Sequence, residues 1–359
     1  MPRSRPTSLT YGSVTSQVSV LIALSAVMGV LVAGLAIPFA GALGLGAKSV
    51  SKSMKNFPIK VSAEPLAQRT RVLDAHGKLI ATFYDQNRVY VPLAKIAPVM
   101  QKAVIAIEDS RFYQHGALDV KGTIRAFVKN QANDGVTQGG SSITQQLAKM
   151  TQLNQARNKD EREAAIDDTY KRKLQELRLA VAFEKNYSKD WILERYLNIA
   201  YFGDGTYGVQ SASRRYFSKD ASELTTAEAA LLAGLVKNPV GYDPTTFPDR
   251  ALSRRNTVLS RMAAVGDIPQ AEADQLAATD LGLKVSPSRN GCLGSKAAFF
   301  CDYVRRYLLA DPSLGKTVED RQTLLNSGGL TVKTTLDLRF QEAADRATSA
   351  HVRPTDQAI

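Results

Sequence analysis

Between Arg5 and Lys48 the chain carries no charged residue, and Val18 to Ile37 (VSVLIALSAVMGVLVAGLAI) is a nearly unbroken apolar run. About twenty residues, rising roughly 1.5 Å each as a helix, match the roughly 30 Å hydrocarbon core of a bilayer. A cleaved leader has a shorter apolar region ahead of a small-residue cleavage site, and the Ala-rich stretch at Ala40–Ala42 keeps that alternative open. Lysine and arginine flank the run on both sides, Arg3 and Arg5 before it and Lys48, Lys52 and Lys55 after it, so charge alone does not orient it. A short leading tail and a large following body favour a single-pass anchor with the body outside the cytoplasm.

The anchor decides how the net charge of +12 is read. Such an excess favours a polyanionic partner, whether nucleic acid, an anionic bilayer surface or a phosphate-bearing substrate. A body held at a membrane face selects the last two, and nucleic acid is not expected. The two cysteines, Cys292 and Cys301, lie nine apart. Outside the cytoplasm they could close a small loop as a disulfide, or stand as two unrelated thiols. Histidines at 76, 115 and 351 are too scattered for a zinc site.

Along the body, TRVLDAHGKLIATFYD (70–85) alternates apolar and polar residues around a His-Gly turn and predicts a hairpin. From about Ala97 to Met262 the periodicity is helical. Residues 162–184 place Ile166, Tyr170, Leu174, Leu177 and Val181 on one stripe, predicting an amphipathic helix. KDWILERYLNIAYF predicts a helix capped by Ser188. ELTTAEAALLAGLVKNP predicts another, capped by Thr225 or Thr226 and stopped by Pro239. GGLTVKTTLD (328–337) reads as a strand, followed by a last helix. The fold class is mainly α with a small β element.

Four segments carry chemistry. AVIAIEDSRFYQHG delivers Glu108 and Asp109 at the end of an apolar run, where burial would raise a carboxylate's pKa; the alternative is a helix-terminal Glu reaching solvent. QGGSSITQQLAK (138–149) offers a helix start with hydroxyls and amides suited to phosphate or sugar oxygens, or simply a capped helix after a loop. In YKRKLQE, Arg172 and Lys173 share a helix face with Glu176, which also describes surface ion pairs. GDGTYG (203–208) satisfies G-x-G-x-x-G but follows a helix and lies in no βαβ unit, so dinucleotide binding is rejected.

In their order these segments resemble the lysozyme-like peptidoglycan glycosyltransferase domain of class A penicillin-binding proteins. EDSRFYQHG is similar to that family's ED-x-x-F-x-x-H-x-G, and GGSSITQQLAK to its G-G-S-T-I-T-Q-Q-L-x-K, with Ser142 where threonine is usual. RKLQE, KDWILERYLNIAYFGDGTYGVQSASRRYF and LTTAEAALLAGLVKNPVGYDP match the remaining three, the last with Leu235-Val236 where leucine-proline is usual. The resemblance implies residues 1–17 as a cytoplasmic tail, 18–47 as the transmembrane signal-anchor and 48–66 as a connector. Residues 67–265 would form the glycosyltransferase domain, and 266–359 a helical extension and linker toward a transpeptidase domain that this chain lacks. Ser49-Val50-Ser51-Lys52 spells S-x-x-K outside any domain, and Lys333-Thr334-Thr335 is not K-T-G, so no transpeptidase activity is expected.

The activity implied is polymerisation of lipid II into β-1,4 glycan by inverting transfer, releasing undecaprenyl pyrophosphate, in cell-wall synthesis and cell shape. Partners implied are lipid II, the growing glycan chain, the membrane and other wall-synthesis proteins. The resemblance makes Glu108 the base and Glu176 its catalytic companion, positioning the donor or orienting cations. Asp109, Phe112, His115, Ser142, Gln146, Lys149, Arg172 and Lys173 become substrate-binding residues, with Lys149, Arg172 and Lys173 facing the pyrophosphate. A divalent cation, Mg or Mn, would bind at Asp109, although nothing in the spacing specifies a metal site. Residues 130–139 would form a loop that opens for lipid entry. Two rival readings are a lysozyme-like glycan hydrolase and a non-enzymatic membrane-anchored scaffold.

Overall fold

The computed structural model describes Ser25 and residues 64–119, 141–156, 159–167 and 169–352. The anchor (apart from Ser25), the 48–63 part of the connector, the 130–139 loop and Gly139-Gly140 lie outside them. Among the described residues no helix is long and apolar enough to cross a membrane.

Twelve α-helices and a little sheet make up the described part, so the chain is mainly α. Thr70–Leu73 (β1) and Leu79–Phe83 (β2) form the antiparallel hairpin, with Val72 opposite Ala81. The Asp74 carboxylate makes the turn by accepting from the backbone N–H groups of His76 and Lys78 at 2.9 and 2.7 Å. Gly77 follows at φ +83°, a value glycine adopts without strain.

Pro98–Glu108 (α1) starts with proline at its first turn, where no N–H is needed, and buries Met100, Ala103, Val104 and Ala106. It packs on Thr226–Leu235 (α7) and Pro248–Ala264 (α8). Every residue of α7 from Ala229 to Leu235 is buried, and a helix that is apolar all round belongs at the centre of a core. Thr225 caps it in a reciprocal box with Glu228, and it ends at Leu235, ahead of Pro239. Ile143–Gln155 (α2) packs on Tyr170–Asn186 (α4) and Lys189–Ile199 (α5); Ser188 caps α5 by accepting from Trp191 N–H at 3.2 Å.

The amphipathic helix expected over 162–184 is corrected. Lys159–Ile166 (α3) stops, and Thr169 caps a new helix, α4. The expected stripe is not the inward face: Ile166, Tyr170 and Val181 are 54%, 98% and 38% exposed. The buried positions of α4 are Arg172, Glu176, Leu179, Ala180 and Phe183, spaced i, i+4, i+7, i+8 and i+11. Charged residues occupy the inward face near the helix start, so hydrophobicity alone placed the wrong side toward the core.

Asn87–Arg88 (β3) pairs in parallel with Thr206–Tyr207 (β4) ahead of Val209–Phe217 (α6). The GDGTYG segment makes the tight turn into this strand. A Cβ on Gly203, at φ +90°, would lie 2.6 Å from the Pro239 carbonyl oxygen. After α8 come Gln270–Ala277 (α9), Ala298–Ala310 (α10), Val318–Ser327 (α11), Thr331–Lys333 (β5) and Leu338–His351 (α12). Strand β5 pairs in parallel with β1, giving a sheet ordered β2-β1-β5. Val72, Ile80 and Phe83 of the hairpin share a second core with Ala297, Cys301, Val304, Leu325 and Leu338. Cys292 and Cys301 are joined by a disulfide, with Cα atoms 5.5 Å apart, which clips the approach loop to α10.

Candidate active site

Three sequence segments converge on the N-terminal end of α2. Glu108 is the last residue of α1 and Asp109 its cap. Gln146, one turn into α2, donates from Nε2 to Oε2 of Glu108 at 2.7 Å. The orientation of that amide is set from behind. Tyr196 of α5 is fully buried, and burial, with the negative charges of Glu108 and Asp109 nearby, pushes its pKa well up. It therefore stays a phenol and donates to Gln146 Oε1 at 3.0 Å, which turns the amide nitrogen toward Glu108.

Burial pushes the pKa of Glu108 above the usual carboxylate range. The Gln146 hydrogen bond and the cations Arg254 and Lys237 pull it back, and Asp109 adds to the rise. A carboxylate so placed is a candidate proton acceptor with one oxygen, Oε2, committed to the amide.

Asp109 is used differently. Its Oδ2 accepts the backbone N–H of Ile143, in the first turn of α2, at 3.2 Å, and its Oδ1 lies 2.7 Å from Nε2 of His115. His115 Nδ1 lies 2.6 Å from the Gly116 carbonyl oxygen. The ring thus bridges the Asp109 carboxylate and the Gly116 carbonyl. Asp109 thus ties the end of α1 to the start of α2. Asp109, His115 and Asp119 bring one potential metal-ligand atom each within 4.8 Å of one another. Both Asp109 oxygens are engaged, however, and Asp119 pairs with Arg111. A divalent cation held by these three would replace the Asp109–His115 contact and compete with Arg111 for Asp119.

Ser142 caps α2, accepting from Gln145 N–H at 3.2 Å and donating to the Ala117 carbonyl at 2.8 Å. Its hydroxyl is fully occupied and buried. Phe112 is also wholly buried, with the Lys189 ammonium 4.4 Å from its ring centroid, and presents no surface to a ligand.

On α4, Glu176 is buried and accepts from Arg172 Nη1 at 2.7 Å and from Lys173 Nζ. Lys173 Nζ also reaches Ser141 Oγ at 2.9 Å, just ahead of α2. Arg172 is buried, whereas the Lys173 side chain is about half exposed. One carboxylate thus holds two cations. Lys149 sits half-buried on α2, with no hydrogen bond or ion pair among the described residues.

The sequence reading did not identify Tyr196, Arg261, Lys237 or Arg254. Arg261 of α8 donates to the Ala106 carbonyl at 3.1 Å and to Ser110 Oγ at 2.9 Å, bracketing Glu108 on its own helix end. Tyr196 lies within a segment correctly read as helical, and its polar tip could have been suspected. For Arg261 no spacing connects it to residues some 150 positions earlier.

The transglycosylase family model matches residues 76–263. The chain is 39% identical over 269 residues to penicillin-binding protein 2D of Bacillus subtilis (strain 168), covering 75% of this chain and 36% of that protein. It is 36% identical over 279 residues to penicillin-binding protein 1F of the same organism, covering 77% and 36%. With penicillin-binding protein 1A of Aquifex aeolicus (strain VF5) it shares 36% over 280 residues, covering 78% and 35%. The chain spans little more than a third of the length of these curated relatives.

Proposed function

The chain belongs to the transglycosylase family, and from that membership and the geometry around Glu108 we propose that it is a peptidoglycan glycosyltransferase that builds glycan strands from lipid II. The observation that carries the reading is the shared anchorage on α2. Gln146 holds Glu108, Ile143 N–H holds Asp109, and Ser141 holds Lys173, so a raised-pKa carboxylate and the half-exposed Lys173 ammonium are fixed to one helix end.

In this mechanism Glu108 takes the proton from the 4-hydroxyl of the acceptor sugar as that oxygen attacks the anomeric carbon of the donor. Attack from the face opposite the lipid pyrophosphate inverts the centre and gives a β-1,4 bond. A pyrophosphate leaves without protonation by a general acid, and what assists it is positive charge on its departing oxygens. Lys173 and Lys149 supply that charge, and Glu176, backed by buried Arg172, aims Lys173. This division of labour disfavours a hydrolase, which has no pyrophosphate to stabilise. The apolar run at 18–37 would anchor the enzyme, in the lysozyme-like fold, on the outer face of the membrane where a lipid-borne substrate lies.

Incubation with labelled lipid II tests the reading. Wild type should yield glycan polymer, and Glu108→Gln none, with unchanged circular dichroism. Near wild-type polymerisation by Glu108→Gln, or shortening of preformed strands in place of polymer, overturns it.

A further inference from the structure

A second polar concavity lies apart from every residue assigned to the transfer reaction. It is a cavity of about 370 Å³ walled by the hairpin, α6 and the segment 286–289. Five cations line it, Arg69, Arg214, Arg215, Lys219 and Arg289, against one carboxylate, Asp220.

Three of those cations are already matched. Arg214 pairs with Asp220 at 2.9 Å, Arg215 with Asp204, and Lys219 with Glu228 at 2.7 Å. Arg69 and Arg289 have no carboxylate partner among the described residues. Arg289 donates only to the Gly294 carbonyl, at 3.1 Å. Arg69 reaches Asn87 Oδ1 at a long 3.4 Å, and its Nε is buried with no hydrogen-bond partner among the described residues. A buried donor left unsatisfied costs about 1–3 kcal/mol. Burial, and then the neighbouring Arg214 and Arg71, push the Arg69 pKa down. The fold therefore sets Arg69 beside like charges at a cavity wall with no carboxylate of its own among the described residues, an arrangement that a bound anion would relieve.

The rest of the wall indicates what the anion is carried on. Cavities of roughly 300–1,000 Å³ hold small molecules, so this one exceeds the needs of a lone phosphate. Asn87, which donates to Ser288 Oγ at 3.3 Å, and Thr82 put amide and hydroxyl groups beside the guanidiniums, and Leu79, Pro287 and the alkyl stems of the cations supply apolar surface. Such a mixed lining suits a sugar, whose hydroxyls meet the amide and hydroxyl groups and whose ring carbons pack on the apolar surface.

We propose that this cavity is a binding site for a sugar phosphate, with the oxyanion between Arg69 and Arg289 and the sugar against Asn87 and Ser288. It goes beyond the transfer reaction and does not rest on the assignment of Glu108. Calorimetric titration of the full-length chain in detergent, at constant ionic strength, tests it with glucose 1-phosphate, inorganic phosphate and glucose as probes. Glucose 1-phosphate should bind saturably and more tightly than inorganic phosphate, and glucose should not bind. Arg289→Gln, at an exposed loop position, should weaken binding at least threefold, and Arg69→Gln combined with it at least tenfold, while lipid II polymerisation by Arg289→Gln stays unchanged. No saturable binding, equal affinity for inorganic phosphate, or affinity unmoved by Arg289→Gln overturns the proposal. The single loop variant keeps the test decisive if Arg69→Gln does not fold.

Discussion

Replacing Gln146 with methionine keeps the volume of the side chain and removes the amide that Glu108 leans on. Nε2 donates to the Glu108 carboxylate at 2.7 Å and so favours its ionised form. A hydrogen bond to a charged acceptor contributes about 1.5–3 kcal/mol, and about 1.4 kcal/mol corresponds to one unit of titration. Glu108 is only half-buried by its accessible surface, so water takes over part of the lost bond and the lower end applies. The acid limb of kcat/KM for lipid II polymerisation should therefore move up by about one pH unit. The direction follows from the proposed base role: Glu108 must be ionised to accept a proton, burial already raises its pKa, and removing a group that lowers it raises it further. Activity is lost first on the acid side and recovers as pH rises. The variant also strands the buried Tyr196 hydroxyl, costing about 1–3 kcal/mol of stability, visible in a thermal melt. Tyr196→Phe keeps the Nε2 donor and should leave the limb near its wild-type position. A limb that stays put in a folded Gln146→Met protein, or one that moves down, refutes the reasoning.

Glu108→Gln should raise the melting temperature relative to wild type above neutral pH while abolishing turnover. A carboxylate whose folded pKa is raised contributes stability that is full below its unfolded pKa, about 4.3, and lost as pH rises through the folded value, so the gap between the two proteins should open over that window and stay constant above it. Arg261→Met should lower kcat about tenfold with KM little changed, because it frees the helix end that aims Glu108; Arg261→Lys should restore part of the loss. Glu176→Gln removes the carboxylate that Arg172 and Lys173 share and should cost about 1.5–3 kcal/mol in a denaturant titration, beyond its loss of activity. Gly203→Ala, with φ +90° and a backbone oxygen 2.6 Å from the added carbon, should destabilise by about 1–3 kcal/mol in the same assay.

Elements announced by local chemistry were legible in the sequence. Ser188 and Thr225 mark the starts of α5 and α7 because an N-cap is written in one or two residues. The hairpin was legible from alternation and its turn. The break before α4 was not, because a Thr cap in the middle of a helical pattern competes with propensities that favour continuation, and the inward face carries Arg172 and Glu176. Within the site, the acidic pair and the cation trio could be named, but their partners could not. Gln146 to Glu108, Ser141 to Lys173 and Ile143 N–H to Asp109 are contacts across 38, 32 and 34 positions, set by how α1, α2 and α4 pack. Phe112 and Ser142 show the converse: motif membership flagged them, while their burial and bonding give them structural work.

The parallel pairing of β5 with β1 has a bearing on how the chain reaches its native state. Leu330 N–H bonds to Thr70 Oγ1 across 260 positions, and among the described residues no earlier strand offers β1 that edge. At about 5–20 residues per second, a ribosome makes those 260 positions in roughly 13–50 s, during which the hairpin waits with Val72, Ile80 and Phe83 uncovered. The helical body around α7 uses contacts nearer in sequence and can condense first. The sheet is thus the last part to close, and its apolar face needs shelter until then.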